Sequence, residues 1–137
     1  MLLWARVGNG KRAMDLLKSL IHNNVFENLW DRHPPFQIDG NFGYTAGVGE
    51  MLVGGSDGTV RILPALPPEW KSGEFSGIVS RGGIAFDCSW QDGQIVSLSA
   101  VSKTDTTVNI LLPSIDNIEN ARSITLDLQA GNHTKIV

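Results

Sequence analysis

Five side chains able to transfer protons or orient a polar substrate lie together in one short segment of this chain. They are two carboxylates, one imidazole and two amides: Asp31, Asp39, His33, Gln37 and Asn41. Carboxylate and imidazole groups are the usual proton-transfer groups of enzymes. This concentration makes the segment the best candidate in the chain for a catalytic or binding site.

The segment, residues 31–43, is predicted to be a stiff loop that leads into a helix. Pro34 and Pro35 exclude helix locally, because proline lacks an N–H donor and biases the residue before it to extended geometry. They also reduce the freedom of the unfolded loop, so neighbouring side chains can be held in place. Asp39 precedes the predicted helix, where it could cap the helix by accepting amide hydrogen bonds or point into a cavity.

Helices should position this loop from both sides. Residues 9–23 are predicted to be helical because apolar residues recur at helical spacing on one face, with Asn9 at the start. A second helix is predicted over residues 41–53, ended by Gly54 and Gly55. Its three internal glycines lower helix propensity, which suggests that other groups pack closely against its backbone.

From Thr59 onward the pattern favours β-structure. Short runs with apolar alternation are separated by turn residues, and an Asp92-Gly93 pair predicts a tight hairpin. The predicted strands cover residues 60–63, 84–90, 95–101, 106–112 and 123–128. Residues 64–77, rich in proline and glycine, are the best linker candidate. The spacing predicts a small antiparallel β-sandwich or a curved antiparallel sheet.

Composition excludes several functional classes. Hydrophobic residues make up 42% of the chain and charged residues 18%, which is typical of a globular protein. A net charge of -3 gives no electrostatic basis for binding nucleic acid or an anionic membrane. A single cysteine, Cys88, excludes an internal disulfide, and the three histidines lack metal-ligand spacing.

Residues 33–43, HPPFQIDGNFG, resemble the signature of glycoside hydrolase family 95, whose members are chiefly α-L-fucosidases with some α-L-galactosidases. Four other segments are similar to that family: WARVGNG at 4–10, AGVGEML at 46–52, LPALP at 63–67 and RGG at 81–83. The resemblance covers roughly residues 2–100. A match of this length and composition is specific.

The resemblance implies an α+β chain with N-terminal helices from the end of an (α/α)6 barrel, followed by a small antiparallel β-sandwich domain. Residues 1–55 would be the last helices of the catalytic barrel, and residues 56–137 the C-terminal β-domain. Members of the family are several times longer, so the chain is expected to be a fragment that is inactive alone. It would need the rest of the catalytic barrel as its partner.

The chemistry that the resemblance implies is inverting hydrolysis, in which a glutamic acid protonates the leaving oxygen and water attacks the opposite face of the sugar. In this family an asparagine amide activates the water and a neighbouring aspartate polarises the amide. Asp39 matches that aspartate, and His33 matches a histidine expected to contact sugar hydroxyls. Gln37 and Asn41 could add substrate contacts or make hydrogen bonds within the loop, and Asn41 is not equated with the activated asparagine.

The residues of this chain are compatible with several alternatives. Trp30 and Phe36 could stack on a sugar ring or pack internally. A complete small enzyme would have to pair Asp39 with Glu27 or Glu50. A non-catalytic β-sheet module that binds carbohydrate or supports a neighbouring domain is a further alternative.

The resemblance implies a fucosylated glycan substrate and no cofactor. It also implies secretion or a periplasmic location for the full-length enzyme, although the chain itself leaves the location unknown. Neither nucleic acid nor a membrane is expected as a partner.

Overall fold

A computed structural model describes residues 1–56, 58–113 and 122–137. The helices of the described residues are α1 (Leu2–Arg6), α2 (Gly10–Asn24) and α3 (Asp39–Leu52). The helix predicted over 9–23 is confirmed as α2, and the side-chain oxygen of Asn9 caps it by accepting the Arg12 N–H at 2.9 Å. No helix in these three ranges is both long and apolar enough to cross a bilayer.

Among the described residues, two four-stranded sheets follow the helices. Their strands are β1 (Val53–Ser56), β2 (Thr59–Ile62), β3 (Gly73–Val79), β4 (Ile84–Gln91), β5 (Gln94–Ser102), β6 (Thr106–Leu112), β7 (Arg122–Leu128) and β8 (Thr134–Lys135). The first sheet has the order β1-β2-β6-β7 and the second β3-β4-β5-β8. The predicted order of helices followed by a small β-sandwich is therefore confirmed.

Besides the short strand β8, for which no strand was predicted, the sheets differ in three details from the prediction. The pairing of β2 with β6 is parallel, with Thr59 opposite Asn109, so the first sheet is mixed rather than antiparallel. Residues 73–79 form β3, which overlaps the last five residues of the predicted linker, and its register with β4 shifts between Phe75 and Ile78. Glycines at the start of β3 and at this irregularity hide its alternation. The third difference is β1, which occupies the Gly-Gly segment expected only to end the helix.

The two hydrophobic cores meet at α3. Buried residues of both sheets form the sandwich core, which includes Phe86, Leu98 and Ile110, all fully buried. A smaller core joins the three helices to the segment that follows β2. Consecutive residues of α3 enter different cores: Met51 lies in the helical core and Leu52 in the sandwich core. The last turn of α3 thus packs against both hydrophobic cores.

The glycine that begins α2 lies against the segment after β2. A Cβ on Gly10 would lie 2.5 Å from the backbone oxygen of Ala65 and 2.6 Å from that of Leu66. Such distances are too short for any side chain, so this close approach requires glycine. The start of α2 is therefore packed directly against the β-region.

Cys88 is buried on the inner face of β4, as its place in the alternating pattern predicted. Burial raises the pKa of the Cys88 thiol from its ordinary value of 9.0 to about 11, because the charged thiolate is poorly solvated there. We expect alkylation by iodoacetamide at pH 8 to be at least about 100-fold slower in the folded chain than in urea, since the thiolate reacts. Because the pKa of Cys88 is higher in the folded chain than in the unfolded chain, the free energy of unfolding decreases as the pH rises from 9 to about 11.

The comparison that checks this expectation is the labelling rate followed by mass spectrometry with and without denaturant. Similar rates in the two conditions would contradict the burial of Cys88.

Candidate active site

The polypeptide between α2 and α3 folds back against the end of α2. The Arg32 N–H donates to the carbonyl of Asn24 at 2.9 Å, and Val25 forms an isolated antiparallel bridge with Asp31. The Phe26 N–H donates to the carbonyl of Trp30 at 2.7 Å. These bonds close residues 25–32 into a small turn structure, so the following residues start from a fixed position.

Asn41 fastens this turn structure to the first turn of α3. Its amide nitrogen donates to the carbonyl of Leu29 at 2.5 Å, and its amide oxygen accepts the Asp31 N–H at 3.1 Å. Both ends of the Asn41 side chain therefore hold loop backbone, which is the loop-internal alternative considered above. The contact of Asn41 with substrate stays a prediction.

His33 is held through its backbone and keeps an exposed ring. Its N–H donates to Oδ1 of Asp31 at 2.8 Å, an arrangement in which an aspartate fixes the amide two residues later. The imidazole Nδ1 lies 3.3 Å from the carbonyl oxygen of Pro35, and the Pro34–Pro35 peptide bond is cis. Gln37 is also exposed, and its carbonyl oxygen accepts the Gly40 N–H at 3.2 Å.

Asp39 is the first residue of α3 and does not cap it. The N-cap position is taken by Ile38, and no side chain makes a capping hydrogen bond there. Asp39 is exposed to solvent at the positive end of the helix dipole, where a carboxylate is electrostatically favoured. The capping alternative is therefore wrong, and the carboxylate is available to act on another group.

Aromatic side chains next to the loop are exposed rather than buried. Trp30 and Phe36 stack on each other with ring centroids 4.7 Å apart, yet 57% and 45% of their surfaces are exposed. The guanidinium of Arg32 lies 4.8 Å from the ring centroid of Phe26, which is itself 48% exposed. The loop thus presents an apolar surface beside its polar groups.

Glu50 is committed to ion pairs. Its Oε1 lies 3.2 Å from the guanidinium of Arg6 and 3.3 Å from that of Arg81, which joins α1, α3 and the turn after β3. Only 17% of the Glu50 side chain is exposed. These pairs give Glu50 a structural role, and a part as the acid of a complete small site is disfavoured.

One cleft of the described residues lies away from the loop. It has a volume of about 670 Å³ and opens at one end of the sandwich, with Arg61, Trp70 and Gln94 among its lining residues. A smaller one of about 190 Å³ lies beside Glu50 and Arg81. Within the part of the chain that the structure describes, no residue of 31–43 lines either cleft. The loop carries its polar groups on an open surface.

The structure brings all five of the sequence-predicted groups onto one loop and helix start, and it adds one residue, Gly40, that the sequence did not single out as a site residue. Asp31 binds the His33 amide, and Gly40 lies against the Asp31 carboxylate. The Asp31-x-His33 spacing was an available signal for the first contact, since aspartate commonly bonds the backbone two residues on.

Two family models together match almost the whole chain. Residues 1–52 match the Glycosyl hydrolase family 95 catalytic domain, and residues 55–136 match the Glycoside hydrolase family 95, C-terminal domain. Among curated proteins, the chain is 35% identical to Alpha-L-fucosidase 2 of Arabidopsis thaliana in an alignment of 125 residues, and the match covers 82% of this chain and 15% of the relative.

Two fungal proteins are also similar. The chain is 34% identical to Probable alpha-fucosidase A of Aspergillus niger over 107 residues, covering 68% of this chain and 14% of that protein. It is 30% identical to Probable alpha-fucosidase A of Aspergillus oryzae over 125 residues, covering 79% of this chain and 17% of that protein. The chain therefore spans only about a sixth of the length of these relatives.

Proposed function

This chain belongs to glycoside hydrolase family 95, and we propose that it supplies one wall of an α-L-fucosidase active site that hydrolyses terminal α-L-fucosyl linkages of glycans with inversion. α-L-Galactosyl linkages are the alternative substrate. The observation that carries this proposal is the position of the Asp39 carboxylate. It lies at the first residue of α3, is exposed and makes no capping hydrogen bond. The names of the similar proteins support the choice of fucose.

In this proposal Asp39 polarises an asparagine amide that lies outside the chain, and the amide activates the attacking water. A glutamic acid, also outside the chain, protonates the leaving oxygen on the opposite side of the sugar. His33 and Gln37 contact substrate hydroxyls from the same loop. The main role of Asn41 is to hold the loop through its two hydrogen bonds to the backbone. Its amide contacts substrate only through the second N–H and the second oxygen lone pair, which these two bonds do not use.

The proposed partner of residues 1–55 is the remainder of a helical barrel. Most of the exposed large apolar side chains precede Gly43, and they include Leu3, Val7 and Phe42, which are 74%, 62% and 65% exposed. Apolar surface of this extent is typical of a covered face. Residues 56–137 are proposed as the C-terminal β-domain, with Val53–Ser56 as the strand that crosses between the two units.

The test is a chimera in which this chain replaces the matching segment of the Arabidopsis relative. We expect the chimera to cleave an aryl α-L-fucoside and to release β-L-fucose first, as detected by proton NMR of the anomeric signal. The 137-residue chain alone should show no turnover, because it holds only one side of the proposed acid and base machinery.

Retention of configuration, or a folded chimera without fucosidase activity, would contradict this function. Glycan binding by the chain combined with an inactive chimera would instead favour the non-catalytic module. The control is the relative with its own segment, assayed under the same conditions.

A further inference from the structure

One carboxylate joins the two parts of the loop that carry the proposed site residues. Oδ1 of Asp31 accepts the backbone N–H of His33 at 2.8 Å. The other oxygen of the same carboxylate, Oδ2, lies against Gly40, the residue that follows Asp39. Asp31 is therefore wedged between the His33 backbone and the first turn of α3.

Gly40 leaves the space that Asp31 occupies. A Cβ on Gly40 would come 1.8 Å from Oδ2 of Asp31 and 2.8 Å from its carboxyl carbon. Gly40 does not have a left-handed φ, so its backbone would accept alanine if the space were free. A side chain at position 40 would therefore have to displace the Asp31 carboxylate.

The contrast with Gly43, one turn further along α3, isolates this effect. A Cβ on Gly43 meets nothing within 4 Å, and its φ is also compatible with alanine. In a helix without steric conflict, glycine-to-alanine replacement favours the helix. The two glycines thus share a helix and differ in whether Asp31 lies against them.

We propose that Asp31, seated against Gly40 and held at its backbone by Asn41, is a positioning residue that sets the location of His33 relative to Asp39. This inference rests on the proposed function, since it assigns a purpose to the distance between two proposed site residues. In this proposal Asp31 does not contact the substrate. A shift of the Asp31 carboxylate by about 1 Å would move the His33 side chain away from the substrate, and a misplacement of that size can lower the rate about 100-fold.

The first experiment measures loop geometry without activity. In the 137-residue chain, NMR amide exchange at His33 is expected to accelerate at least about tenfold in Gly40→Ala, because the displaced carboxylate no longer accepts that N–H. Gly43→Ala is the matched control and should leave the His33 amide unchanged. Equal exchange in the two variants would overturn the positioning role.

The second experiment is a double-mutant cycle in the chimera. Gly40→Ala is expected to lower kcat by about 10- to 100-fold, and Asp31→Ala by a similar factor. In the double variant the alanine at position 40 meets no carboxylate, so the loss should equal that of Asp31→Ala alone rather than the product of both. Multiplicative losses would overturn the proposal.

The two experiments separate this inference from the function on which it rests. If Asp39→Ala in the chimera keeps full turnover, the proposed function fails whatever the exchange rates show. If Asp39→Ala loses turnover while Gly40→Ala matches wild type in both kcat and exchange, the function stands and the positioning role fails.

Discussion

Replacing Asp39 with asparagine in the chimera is expected to lower kcat about 10³-fold, within the range that a proton-handling group contributes. The substitution keeps the size of the side chain and removes its charge. Because Asp39 is exposed and makes no capping hydrogen bond, the start of α3 loses no bond on substitution. The melting temperature should therefore change little, and KM should stay within a few-fold of wild type.

The control for this substitution is Asp15→Asn. Asp15 is an exposed carboxylate on α2 that lies 3.5 Å from the ammonium of Lys11, and such an exposed pair contributes little. Its replacement should change kcat less than twofold. Full turnover by a folded Asp39→Asn chimera would remove Asp39 from the chemistry and leave the loop with a structural role.

Local sequence patterns correctly predicted those helices, strands and turns that are determined by contacts between residues close in sequence. The apolar spacing of residues 9–23 and the cap at Asn9 gave the limits of α2 to within one residue. The alternation from Ile84 to Trp90 gave β4, and the Asp92-Gly93 pair forms the predicted turn with both residues at positive φ. In each case the determining contacts lie within a few residues along the chain.

The errors arose where the pairing of one strand with another decides the structure. The parallel pairing of β2 with β6 joins residues about 50 positions apart, and alternation identifies a strand without identifying its neighbour. Gly54 and Gly55 have the pattern of a helix end, yet they also form β1 because β2 folds back beside them. Composition cannot distinguish these two uses of glycine.

The candidate site shows the same division. Residue types within 31–43 identified the carboxylates, the histidine and the amides as candidates. Two features depend on how the segment after α2 folds back onto α3. They are the contact of the Asp31 carboxylate with Gly40 and the two hydrogen bonds of the Asn41 side chain. The resemblance to family 95 supplied chemistry that local patterns alone left open, since those patterns allowed Asp39 either to cap the helix or to point into a cavity.

Stability should depend most strongly on the centre of the sandwich core. Phe86 is fully buried on β4, opposite Ala100 of β5 and Ile78 of β3. Phe86→Ala is expected to lower the free energy of unfolding by about 3–5 kcal/mol, since it removes apolar contacts and leaves a cavity. That loss is a large part of the total stability of about 5–15 kcal/mol usual for a domain.

The matched control for this substitution is Val96→Ala on the neighbouring strand β5. Val96 is 59% exposed, so its truncation should cost less than about 1 kcal/mol. Urea denaturation of the chain, followed by far-ultraviolet circular dichroism, measures both values. A Phe86 variant as stable as the Val96 variant would contradict the position of the core.

The helices should lose stability together with the sheets in the Phe86 variant. Leu52 of α3 belongs to the core that contains Phe86, while Met51 beside it belongs to the helical core, so the two cores share one helix. Unfolding of the sandwich therefore removes one side of the packing of α3, the helix that begins at Asp39. We expect amides of α2 and α3 to exchange faster in Phe86→Ala, in step with those of β4 and β5. Faster exchange confined to the sheets would show that the loop and its helix are held by the helical core alone.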